Sequence, residues 1–221
     1  MKSRLFRHNI VNSVLCSLMA AAYMMFIPFS ASAAKWSVPK ENISYNIMYK
    51  WGIINKKAGT VTISTSVPDS GSNFHSRLTG ATAPWADRFY KVRDTLRGTI
   101  DHTTFLPIRY EKITSEGGHN EHDSLEFFRS GNTTKANAVH RKKGKKDKAF
   151  SEEKKLLEAE GLTVDMLSSF YYMRQINYSA MKKGESVRLN VFSGKRKEIL
   201  EIHYQGVVPL RIDDKIYSTY H

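Results

Sequence analysis

Alternation of apolar and polar side chains, interrupted at short intervals by turn chemistry, is the feature that most narrows what this chain can fold into. Ile43, Tyr45, Ile47 and Tyr49 alternate with Ser44, Asn46, Met48 and Lys50. That is the period of a strand with one buried face. Val61 and Ile63 alternate with Thr60, Thr62 and Ser64, and the pattern returns at Leu96, Gly98 and Ile100. It recurs at Leu106, Ile108 and Tyr110, at Leu125 and Phe127, at Val187, Leu189 and Val191, and at Leu200, Ile202 and Tyr204. Gly117-Gly118, Ser130-Gly131-Asn132, Lys183-Gly184 and Ser193-Gly194 supply turns, as do the polar clusters at 55–59 and 68–72. Successive strands with no intervening helical rhythm predict a mainly β fold. The expected form is an antiparallel curled sheet or partly open β-barrel with one or two short helices.

Two segments break the alternation. Residues 84–92 are expected as a short helix, with Trp85, Arg88 and Phe89 at helical spacing. Residues 163–176 are the stronger helix candidate, with Thr163 as N-cap and Met166, Phe170 and Met173 on one face. Such a face packs on a sheet, or forms a lid over a ligand cavity. Residues 141–160 are dominated by charge and read as a solvated loop, or as an electrostatic tether to phosphate-bearing lipid or glycan.

Lys2, Arg4 and Arg7 precede an apolar run at 14–27, and Ala31-Ser32-Ala33 follows it. Charged start, apolar middle and small-residue end predict a secretory signal peptide over residues 1–33, and an exported, periplasmic or envelope-associated protein. The apolar run is shorter than the ~20 residues of a spanning helix, so no transmembrane helix is expected after processing. Removal leaves 188 of 221 residues, read as one domain over 34–221. Cys16 is the only cysteine and departs with the leader, which excludes disulfides, thiol catalysis and cysteine metal sites. The formal charge of +13 falls to +10. Outside the cytoplasm such a charge meets lipid headgroups and acidic glycans, and nucleic acid is not the expected partner.

No G-x-S-x-G elbow and no glycine-rich phosphate loop is present. In His119-Asn120-Glu121-His122-Asp123, a strand puts His119, Glu121 and Asp123 on one face and His122 on the other, so no metal or other cofactor is expected. Asp94 and Asp101 are the carboxylates considered for acid–base work, and neither is assigned a catalytic role. Trp51, Trp85, Tyr90, Tyr171 and Tyr172 are aromatics able to line a cavity or to fill a core. The candidate ligand-binding set is Trp51, Trp85, Tyr90, Arg93, Asp94, Phe170, Tyr171 and Arg174.

Several of these segments, taken in order, resemble the exported family known as domain of unknown function 3108. They are Tyr49-Lys50-Trp51-Gly52 through Ala58-Gly59, Tyr90-Lys91-Val92-Arg93-Asp94, Ile100-Asp101, Leu106-Pro107 and Glu116-Gly117-Gly118. Asp165-Met166-Leu167 through Arg174 and Lys182-Lys183-Gly184-Glu185 complete the set. The resemblance implies an envelope protein of antiparallel β structure, akin to periplasmic lipoprotein carriers, and no established activity or catalytic residue. Members of that family run on beyond the point matching 212–221, so the chain is expected to be shortened there, with its last strand an open edge. The reading that follows is a binding or carrier protein for an amphiphile or glycan. The alternatives are an interaction module with an envelope protein partner, and a carboxylate-dependent hydrolase.

Overall fold

The alternating runs become strands. The structure, a computed structural model, describes residues 40–67, 73–212 and 214–221, all within one unit spanning Trp36–His221. The expected leader at 1–33 and the turn at 68–72 lie outside the described residues. β1 (Asn42–Trp51), β2 (Ile54–Ser66), β3 (Asn73–Thr82) and β4 (Arg93–Asp101) pair in chain order. β5 (Pro107–Glu116), β6 (His119–Ser130), β7 (Thr133–Lys143) and β8 (Ser151–Glu160) continue the same antiparallel meander. The result is one eight-stranded sheet that stays open, with β1 and β8 as its edges.

The first hairpin turns earlier than its composition suggests. Trp51 pairs with Ile54, and Gly52 takes the left-handed conformation (φ 54°) that a two-residue hairpin turn requires. The polar run at 55–59 is therefore strand. Pairing steps from Ile47↔Gly59 to Met48↔Lys57, which makes Ala58 a bulge and leaves its carbonyl to accept the Ala83 amide at 2.7 Å.

The charged run expected as a loop over 141–160 is a loop only between β7 and β8. Leu157 and Ala159 alternate inward with exposed Leu156, Glu158 and Glu160, and Arg141–Glu152 (2.6 Å) and Lys135–Glu158 (3.0 Å) pair across the strands. Charges of opposite sign in cross-strand register made this segment strand-competent.

The 84–92 segment contains a single 3-10 turn, Ala86–Arg88, in place of the expected helix. The longer expected helix is also cut short. Thr163–Asp165 forms β9, parallel to β10 (Ser186–Phe192), and only Ser168–Met173 forms helix α1. Asp165 is the reason. Its Oδ1 accepts the amides of Leu167 (2.7 Å) and Ser168 (2.8 Å), and Ser168 Oγ accepts the Asp165 amide (2.9 Å). The helix start is thereby moved past Thr163. β11 (Lys197–His203) pairs with β10, and β12 (Val207–Ile212) with β13 (Lys215–Tyr220) forms a separate hairpin. Among the described residues, no helix is long and apolar enough to cross a membrane.

The period of two divides the large sheet into two unlike faces. One face carries Ile63, Phe74, Ile100, Tyr110, Leu125 and Phe127, and is covered by Leu167, Tyr171 of α1 and Phe192 of β10. Gly98 lies beneath this cover, where a Cβ would meet Leu167 Cδ2 at 3.4 Å, an ordinary contact. Ala136 and Ala138 sit opposite Phe127 and Leu125, and Phe192 stacks on Phe127 with centroids 5.8 Å apart. Truncating one of these buried rings to alanine costs about 3–5 kcal/mol. The other face carries mostly polar side chains, with Phe128, Val139 and Leu156 among them.

Candidate functional site

The uncovered face is built from the polar positions of six consecutive strands. By strand register, one row crosses the sheet as Ser64, Arg77, Arg97, Glu111, Ser124 and Val139. The adjacent row is Ser66, His75, Thr99, Arg109, Glu126 and Asn137. Together they line a groove of about 840 Å³ running from β2 to β7. A single groove can touch six strands only because the sheet curls around it.

The charges in this groove are unevenly matched. Arg97 reaches Glu111 at 3.1 Å, and His122 Nε2 meets the other oxygen of Glu111 at 2.8 Å. Arg109 pairs with Glu126 at 2.9 Å, and His75 Nδ1 meets Thr99 Oγ1 at 3.2 Å. Arg77 forms no ion pair among the described residues, and it stands directly opposite Arg97 across β3 and β4. Like charges in that position destabilise a sheet. A guanidinium fork beside hydroxyls and an amide is suited to a carboxylate or phosphate on a hydroxyl-rich molecule.

None of the residues expected from sequence to bind a ligand lines this groove. Trp51 ends β1, and its side chain lies outside the described residues. Trp85 donates its ring N–H to the Lys57 carbonyl (2.8 Å), with Tyr49 and Phe89 edge-on at 6.3 Å and Lys56 over the ring. The Tyr90 hydroxyl donates to Glu116 at 3.3 Å; burial, then the Glu116 charge, raises the phenol above its ordinary value. Arg93 holds Asp87 at 2.6 Å, and that hydrogen bond, with one from Thr82, lowers the Asp87 carboxyl to about 2. Asp94 accepts the Ser115 amide at 3.1 Å and is raised by burial and then by Glu116.

Trp85, Tyr90, Arg93 and Asp94 thus gather at one end of the sheet, around the β3–β4 connection. Tyr171 belongs to the core, its hydroxyl 2.6 Å from Ser76 and its ring edge-on to Phe74. Phe170 and Arg174 line a second cleft of about 600 Å³ with Tyr178, Tyr204 and Tyr220, and Arg174 also pairs with Glu41 at 2.6 Å. The groove residues were missed because each is an isolated polar position on its own strand. The usable signal was Arg77, Arg97 and Arg109 recurring on one face of three neighbouring strands.

Asp94 and Asp101 stand at opposite ends of β4, about 24 Å apart at the rise of a strand, too far to act on one bond. Asp101 instead organises the next turn. Against burial, which would raise it, donors from Thr104 and Thr103 hold its carboxyl below the ordinary value.

One titratable cluster lies on the covered face. Glu121, Asp123 and His140 bring ligand atoms within 4.8 Å of one another. The strand places Asp123 inward and His122 outward as its alternation predicts, and the register sets His140 of β7 opposite Asp123. Asp123 Oδ1 lies 2.5 Å from His140 Nδ1, Lys112 Nζ 3.2 Å from Asp123 Oδ2, and Lys195 Nζ 3.4 Å from His140 Nε2. Two ammonium groups therefore occupy the position of charge that a cation would take, and the residues do not fit a metal centre. Gly194 packs beside the cluster at φ 111°, where an added Cβ would lie 2.6 Å from the Asp123 carboxylate.

The family described as Protein of unknown function (DUF3108) matches residues 44–221. No curated protein and no solved structure matches the chain. The chain belongs to the DUF3108 family.

Proposed function

We propose that this chain is an exported binding or carrier protein that holds an anionic, hydroxyl-rich ligand in the groove of its large sheet. The ligand class is a glycan fragment, or the polar part of an amphiphile, bearing a carboxylate or phosphate. One observation carries this reading: Arg77, without an acidic partner among the described residues, is set opposite Arg97 inside a groove of about 840 Å³. Arg97 is already held by Glu111, so an oxyanion there would supply the partner that Arg77 lacks and offset the repulsion between the two guanidiniums. The Ser64, Ser66, Thr99, Ser124 and Asn137 side chains supply donors and acceptors for hydroxyl groups.

Native mass spectrometry of protein purified from its own host tests this. The expected result is an added mass that leaves on denaturation and is missing from the Arg77→Gln protein. A bare polypeptide mass from both folded proteins, with no gain on adding the host's polar glycan and lipid extract, defeats the reading.

A further inference from the structure

An up-and-down meander sends every second connection to the same end of the sheet. Here that end collects the β1–β2 turn, the β3–β4 connection, the β5–β6 turn and the β7–β8 loop. The last three are in contact, and the second also reaches the β2 strand that leaves the first turn. Trp85 of the second donates to Lys57 beside the first, the Tyr90 ring lies against Gly117 of the third, and the Lys145 stem packs over Gly118. They form one continuous rim.

The composition of the rim is one-sided. The connections 52–53, 83–92, 117–118 and 144–150 hold none, two, none and three Lys or Arg, against Asp87 and Asp147, with Lys50, Lys56, Lys57, Arg93, Glu116, Lys142 and Lys143 on the adjoining strand ends. Asp87 is already held by Arg93, and Asp147 by the Gly144 amide at 2.7 Å. The connections 102–106, 131–132 and 161–162, at the other end of the strands, contain no Lys or Arg.

Large apolar side chains project from this basic rim. Ile53, at the tip of the first hairpin, is 103% exposed, Phe89 is 83% exposed and Phe150 is 53% exposed. Aliphatic and aromatic prongs set among lysines match an anionic bilayer surface. The prongs enter the acyl boundary, and the ammonium groups stay at headgroup level. Solvated charge alone gives no reason for a fully exposed isoleucine and phenylalanine at the tips.

We infer that this rim docks the protein on an anionic lipid surface. The inference does not depend on what the groove holds, because the rim residues are not groove residues. Vesicle co-sedimentation of the full chain tests it, with vesicles of phosphatidylcholine alone and of equimolar phosphatidylcholine and phosphatidylglycerol. Binding is expected only to the anionic vesicles, and it weakens as salt rises. Lys145→Gln with Lys146→Gln is expected to lower the partition constant about 25-fold, from about fivefold per lysine. The charge-matched control Lys197→Gln with Lys215→Gln is expected to leave it within about twofold, since neither lysine is on the rim.

Ile53→Ser with Phe89→Ser tests the prongs without touching the core, and an unchanged thermal melt shows that the fold is intact. A severalfold loss is expected. Equal losses from the rim pair and the control pair overturn the inference, as does failure to bind anionic vesicles at low salt. So does a serine variant that binds like wild type while dextran sulfate strips both, because the rim would then be a general polyanion patch.

Discussion

Asp165 is entirely buried, and its two oxygens have unequal fates. Oδ1 accepts two amides at the start of α1, whereas Oδ2 has no hydrogen-bond partner among the described residues. Burial pushes the carboxyl up to about 6, against the amides of Ser168 and Leu167 and the charge of Arg129. In the unfolded chain the same group titrates near 3.9. Between about pH 4 and pH 6 the folded state therefore keeps a proton that the unfolded state has released, so stability falls as pH rises through that window. A shift of about two units corresponds to about 3 kcal/mol, present below pH 4 and lost by pH 7.

Asp165→Asn isolates this quantity. The asparagine oxygen can still accept both amides, while its N–H groups replace Oδ2 with donors that have no acceptor, at a cost of about 1–3 kcal/mol at every pH. That cost cancels when the variant is compared with wild type at two pH values. Urea titrations followed by tryptophan fluorescence are expected to show the variant gaining about 3 kcal/mol on wild type between about pH 3 and pH 7. The same difference at both pH values would refute the reasoning, since Asp165 would then be ionised in the core without penalty.

Arg77→Gln removes the cross-strand guanidinium pair and is expected to raise stability by about 0.2–1 kcal/mol while abolishing ligand retention. A urea midpoint below wild type would count against the idea that Arg77 is held there at a structural cost. Gly194→Ala is expected to lose about 3 kcal/mol or more. Its φ of 111° suits glycine, and its new Cβ would stand 2.6 Å from the Asp123 carboxylate. His140 and Lys112 hold that carboxylate, so moving it aside gives up those contacts. A loss below about 1 kcal/mol by thermal or urea unfolding would show that the β10–β11 turn is free to move.

Period-two alternation made the sheet legible, because a half-buried strand writes its burial directly into the sequence. Besides the helix expected over 84–92, three places misled for three physical reasons. At 55–59 turn-forming residues were held in a strand, since Gly52 had already made the turn and a bulge absorbed Ala58. At 151–160 charges masked a strand whose alternation is confined to Leu157 and Ala159. At 163–167 a cap placed two residues late let β-branched Thr163 and Val164 pair with β10. Of the candidate groove, only the recurrence of Arg77, Arg97 and Arg109 left a trace in the sequence. Its rows join residues tens of positions apart, so Arg77 and Arg97 become neighbours only once β3 and β4 are in register. His140 was missed for the same reason, because nothing in the spacing of 123 and 140 announces a contact.

The same meander that hides the groove also separates it from the rim. Groove residues are side chains in the middle of strands, fixed by register on one face, whereas rim residues lie in the connections and adjoining strand ends at one end. Substitutions more than about 7–10 Å apart that share no partners combine additively. Arg77→Gln should therefore empty the groove without lowering vesicle binding, and Ile53→Ser with Phe89→Ser should release vesicles without emptying the groove. The combined protein should show both losses at their separate magnitudes. A carrier that unloads at a membrane predicts something else: loading the groove changes the affinity of the rim, and by linkage vesicles change ligand retention by the same factor. Measuring vesicle affinity with the groove filled and then emptied by Arg77→Gln decides between the two. Equal affinities make this a tethered binding protein, and a severalfold difference makes the sheet itself the element that couples load to surface.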